Sequence, residues 1–88
     1  MILQGSEKVK IYDKLHKLAM SSNFEDKLIL ESLFLNYLDK LSRKQAMFIG
    51  FFLPWATNER LKVIDLIEEN DNWREEIKLF AKNKESDK

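Results

Sequence analysis

Apolar residues recur along this chain at intervals of three and four, with polar residues between them, which is the pattern of helices that bury one face. Ile11, Leu15, Leu18 and Ala19 mark such a face, and Lys10, Asp13, Lys14 and Lys17 lie opposite it, so a first helix is predicted to run to about Met20. Ser6, with Val9 three residues on, supplies only half of a capping signature near its start. Asn23 follows the Ser21-Ser22 break. It is suited to cap a second helix, whose first turn carries Glu25 and Asp26 where the helix dipole favours negative charge.

At 100° per residue, Phe24, Leu28, Leu30, Leu33, Phe34, Leu35, Tyr37, Leu38 and Leu41 cover well over half of this second helix, leaving a polar wedge of Glu25, Ser32, Asn36 and Asp39. An element so apolar is predicted to be central, touched by neighbours on several sides. Ser42 and Gln45 have the spacing of a capping box and open a third helix over 43–53, which Pro54 closes because it biases its predecessor away from the α region. Thr57 or Asn58 is the predicted cap of a fourth helix, 58–69, with Leu61, Ile64 and Ile67 as its stripe, widened by Val63 and Leu66. Asp71 or Asn72 is the predicted cap of a fifth, in which Trp73, Ile77, Phe80 and Ala81 form a single stripe.

Short connections favour antiparallel neighbours, so the prediction is an all-α compact bundle of four to five short helices in a single domain, 1–88, with flexible ends at 1–5 and 83–88 and the third helix crossing the others. With two glycines, one proline and no strand-like alternation, composition agrees. Fifteen basic and 15 acidic residues balance, so any charged partner must be met by a local patch. The absence of cysteine excludes disulfides and thiolate chemistry. The start of the chain lacks a basic stretch followed by an apolar run, which leads us to expect a cytoplasmic protein.

The unusual stretch is 46–56, which carries no charge and puts Met47, Phe48, Ile49, Phe51, Phe52, Leu53 and Trp55 on every side of a short helix. It falls well short of the roughly 20 residues of a membrane span. Burying each large apolar side chain is worth about 1.5–3 kcal/mol, so the segment must be covered either by the other helices or by another molecule. Gly50 in its middle marks a close backbone approach. On the second alternative Phe48, Gly50, Phe51, Phe52 and Trp55 form a docking site for a protein partner, a second copy included. A membrane-surface role has only Arg43 and Lys44 in its favour.

Candidate chemistry is sparse. His16 is the only histidine, and with Asp13 it reads as a boundary contact rather than a dyad. Asp65, Glu68, Glu69 and Asp71 make an acidic end to the fourth helix, without the spacing of a calcium loop and better suited to a basic partner than to a metal. No phosphate-binding, dinucleotide, nucleophile-elbow or paired-histidine motif occurs, so neither an enzyme nor a cofactor is expected. The alternative function is a helix-turn-helix-like DNA-binding regulator built on helices 43–53 and 58–69. Arg43, Lys44, Thr57, Asn58, Arg60 and Lys62 would meet the duplex, and Lys8, Lys10, Lys14 and Lys17 would supply phosphate contacts. Glu59, the Pro54-Trp55 turn and the zero net charge weigh against it. The leading expectation is a small interaction module, a regulator, inhibitor or subunit that docks on a larger protein and self-associates as a homodimer.

Overall fold

The computed structural model describes the backbone of residues 3–86 and the side chains of residues 9–84. It contains α1 (Leu3–Met20), α2 (Phe24–Asn36), a 3₁₀ turn (Leu38–Lys40), α3 (Arg43–Gly50), α4 (Thr57–Glu69) and α5 (Trp73–Ser86), with no strand among the described residues. The predicted all-α single-body architecture is therefore the observed one. α1 pairs with α2, α3 with α4 and α4 with α5, and α3 also leans on α1. α1 begins before Ser6, which is not its cap, and both 3–5 and 83–86 are helical; residues 1–2 and 87–88 lie outside the described set.

Two helix starts form as their sequences dictate. Asn23 Oδ1 accepts from the N–H groups of Glu25 (2.8 Å) and Asp26 (3.4 Å). Ser42 Oγ accepts from the Gln45 N–H (3.2 Å), and Gln45 Oε1 accepts from the Ser42 N–H (3.0 Å), closing the capping box. At α4 the cap position falls on Ala56 rather than on Thr57 or Asn58. An alanine has no side-chain acceptor, and the compensation is Glu59 Oε1, which takes the Ala56 N–H at 3.1 Å.

Two helices stop earlier than their apolar patterns suggest. α2 ends at Asn36 and gives way to the 3₁₀ turn, which α5 anchors: Arg74 donates through Nε to Leu38 O (3.0 Å) and through Nη2 to Leu41 O (2.7 Å). α3 ends at Gly50, three residues before the predicted 53, and tightens into i→i−3 bonds from the N–H groups of Phe52 and Leu53. The core is contributed by every helix, with Leu15, Leu30, Phe34, Ile49, Val63, Ile67 and Ile77 buried alongside Leu38 and Leu41 of the connection. The molecule measures 45 × 32 × 19 Å. Its thinnest dimension holds about two helix layers at 8–10 Å spacing. In so thin a body few helices can be covered all round.

Candidate functional site

The apolar segment that is largely covered is the end of α3 and the turn that follows it. Phe48 stacks on His16 of α1 with ring centroids 5.1 Å apart and planes 4° from parallel, and His16 meets Tyr12 edge-on at 6.0 Å. Gly50 faces α4, where a Cβ would lie 3.3 Å from Val63 Cγ1 and 3.4 Å from Ile64 Cδ1. Phe52 packs on Phe48 at 5.1 Å, and the Lys27 ammonium of α2 stands 5.0 Å from its ring centroid. Trp55 lies 6.0 Å from Phe80 of α5, with Lys84 4.9 Å from its ring. Of the five side chains assigned to docking from sequence, Gly50 is thus internal, and Phe48, Phe52 and Trp55 are half-buried against the core. Phe51 alone is presented to solvent, at 49% exposure.

The residues assigned to DNA contact are also redistributed. Arg43 donates Nη1 to the carbonyls of Ile67 and, at 3.3 Å, Asn70, neutralising the C-terminal end of α4 where unsatisfied carbonyls favour a cation. With Arg74 it also faces the Trp73 ring, at 6.0 and 4.2 Å from the centroid. Arg60 donates to Phe51 O (2.7 Å) and Thr57 Oγ1 (3.2 Å), while its Nε is buried without a partner among the described residues. Lys44, Asn58 and Lys62 remain exposed. The outer face of α4, which would enter a groove of DNA, carries exposed Asp65, Glu68 and Glu69 against the single Lys62, a balance that repels phosphates.

The surface that sequence reasoning missed is α2. Its inner positions, Leu30 and Phe34, are fully buried, but Phe24 is 65% exposed, Ile29 48%, and Leu28 and Tyr37 are open as well. Nine large hydrophobic side chains among the described residues are exposed, and six of them, Val9, Met20, Phe24, Leu28, Ile29 and Tyr37, belong to the α1–α2 hairpin and the residue that ends it. The signal was present in the sequence as the all-round apolarity of this helix. It was read as centrality, whereas α1 is the main partner of α2 and much of the remainder faces outward.

Phe24 and Leu28 are one turn apart and therefore share a side of α2. They flank Lys27, which approaches the Phe52 ring beyond the end of α3, and follow closely on Met20 at the end of α1. Lys27 on the same turn is pulled below the ordinary lysine range, first by partial burial and then by the Arg60 guanidinium, and it donates to Ala19 O at the exposed end of α1. The end of the molecule is thus apolar at its surface and cationic just beneath.

Among the described residues no group of three or more His, Asp or Glu side chains is placed to hold a metal ion, and no helix is long and apolar enough to cross a membrane. The acidic end of α4 is a solvated face whose carboxylates do not converge. No known protein family, curated protein or solved structure matches the chain.

Proposed function

We propose that this chain is a small helical docking module that acts on a larger protein as a regulator, inhibitor or subunit, and that α2 presents the docking surface. The observation that carries this reading is the concentration of exposed hydrophobics on the α1–α2 hairpin, with Phe24 the most exposed large hydrophobic side chain among those described. Exposed leucines scattered singly need no explanation, but aromatic and aliphatic groups gathered on one element supply the anchors of an interface. Phe24, Leu28 and Ile29 are each about half open, so covering them is worth roughly 1 kcal/mol apiece. That suffices to anchor a partner that also meets the surrounding polar groups.

Site-specific photo-crosslinking tests the reading. Benzoylphenylalanine placed at position 24 or 28 and activated in the native cell is expected to capture a discrete protein other than a second copy of this chain, while the same group at position 65 on the acidic face captures that protein far less. Equal capture at 65, or no adduct from any α2 position, overturns it.

A further inference from the structure

We infer that copies of this chain associate head to tail, with the groove between α1 and α2 of one copy receiving the outer face of α4 of the next. The groove, about 240 Å³, is lined by Lys10, Ile11, Lys14, Leu15, Leu33 and Tyr37. Its floor is apolar and its α1 wall is basic. Lys17 continues that wall one turn beyond Lys14, and Ile29 continues the floor one turn before Leu33. Lys10, Lys14 and Lys17 have no ion-pair partner among the described side chains. Asp13, the carboxylate between them in sequence, projects about 100° around α1 from Lys14.

The complement is present on the same molecule. Thr57, Leu61, Asp65 and Glu68 fall within about 80° of arc on α4. Leu61 is 50% exposed, and the exposed carboxylates of Asp65 and Glu68 have no described partner. The stripe thus offers one aliphatic side chain for the apolar floor and two anions for the lysine wall. A single molecule cannot bring the two together. Phe48 touches α1 and Gly50 touches α4, and these positions are about 200° apart around α3, so groove and stripe lie on opposite flanks of the short helix. A contact between unlike surfaces propagates unless its rotation closes a ring. The zero net charge of the chain conceals this separation of a basic flank from an acidic one.

The association is distinct from docking through Phe24 and Leu28, and each can fail alone. Sedimentation velocity of the whole chain tests it. The wild-type mass is expected to rise with concentration from the micromolar to the millimolar range, and to fall when salt is raised enough to shrink the screening length from about 10 Å to about 3 Å. Lys10→Glu with Lys14→Glu removes the groove, and Asp65→Lys with Glu68→Lys removes the stripe, so each double variant alone is expected to be monomeric. Mixed, the basic groove of one meets the acidic stripe of the other and the acidic groove meets the basic stripe, so association is expected to be restored. Lys14→Ala and Asp65→Ala, which disturb the surface least, are each expected to weaken association about threefold. A wild type that stays monomeric at millimolar concentration and low salt overturns the inference, as does a double variant that associates like wild type or a mixture that stays monomeric. Crosslinking at positions 24 and 28, outside the groove, would be untouched by any of these outcomes.

Discussion

α2 and α3 are both too apolar for solvent, yet the fold treats them oppositely. α3 spans eight residues, or about 12 Å, and is reached by His16 from α1 and by Val63 and Ile64 from α4, while the turn that follows it is reached by Lys27 from α2 at Phe52 and by Phe80 from α5 at Trp55. α2 spans thirteen residues, or about 20 Å, and lies at the outside of a body two layers thick. The apolar sides of α3 and its turn are therefore covered, and the outer side of α2 is left to face outward. Apolarity alone therefore does not locate a docking surface; what matters is how many neighbours can reach the element.

The sharpest way to break this contrast is a matched pair of truncations. Ile49 of α3 is fully buried and Ile29 of α2 is 48% exposed. Ile49→Ala is expected to destabilise the domain by about 2–5 kcal/mol through lost transfer energy and a residual cavity, and Ile29→Ala by under about 1 kcal/mol. Urea unfolding of the two variants measures both. Similar losses would mean that α2 is covered after all.

Next in size is Gly50→Leu. The space beyond Gly50 is closed by Val63 and Ile64, so a branched side chain there is expected to force the α3–α4 contact apart, at about 1–3 kcal/mol, with a lower urea midpoint. Because Gly50 has no positive φ, the loss would come from the close approach and not from backbone conformation. A neutral Gly50→Leu would show that α3 is not tightly enclosed on this side.

Features set by neighbouring residues were legible in the sequence. The Ser42–Gln45 box and the Asn23 cap depend on groups two or three positions away, and both form as read. The stripe of Trp73, Ile77 and Ala81 is buried as its spacing implies. Features set by distant residues were not legible. Nothing near Asn36 announces that Arg74, far along the chain, takes the carbonyls of Leu38 and Leu41, and nothing near Arg43 shows its guanidinium spent on Ile67 and Asn70. For the candidate site the difficulty was the same. Residues 46–56 and α2 show similar apolar patterns, and only the tertiary neighbours decide that Gly50 faces Val63 while Phe24 faces solvent.

The two helices should respond alike to one perturbation, since their starts are made in the same way. Removing the side-chain acceptor by Asn23→Ala or Ser42→Ala is expected to lower stability by about 1 kcal/mol in each case, read from the urea midpoint. A much larger loss at Ser42 would show that enclosure amplifies a local cap. A much smaller loss at Asn23 would show that the start of α2 frays where Phe24 is exposed.

The smallest effect concerns the cover of the α3–α4 connection. Glu59 accepts from Lys84 Nζ at 2.7 Å and from the Ala56 N–H, and Lys84 in turn lies over Trp55, so one carboxylate links α4, α5 and the apolar turn. The Lys84 hydrogen bond first, and the Ala56 N–H second, hold the Glu59 carboxyl below the ordinary glutamate range. The unfolded chain has no such partners, so its glutamate titrates near about 4.3. A carboxyl with a depressed folded value binds fewer protons in the native state than in the unfolded one through this window, so stability falls as pH falls. The contribution is complete above the unfolded value and is lost as pH drops through the folded one. Wild type and Glu59→Gln should therefore differ in melting temperature at pH 7 and converge at pH 2 to 3, with the wild type giving up its advantage. The cap of α2, by contrast, is the amide of Asn23, which does not titrate. A constant gap between the two proteins across this range would show that the carboxylate contributes nothing beyond its neutral amide, and that the cover over Trp55 rests on packing alone.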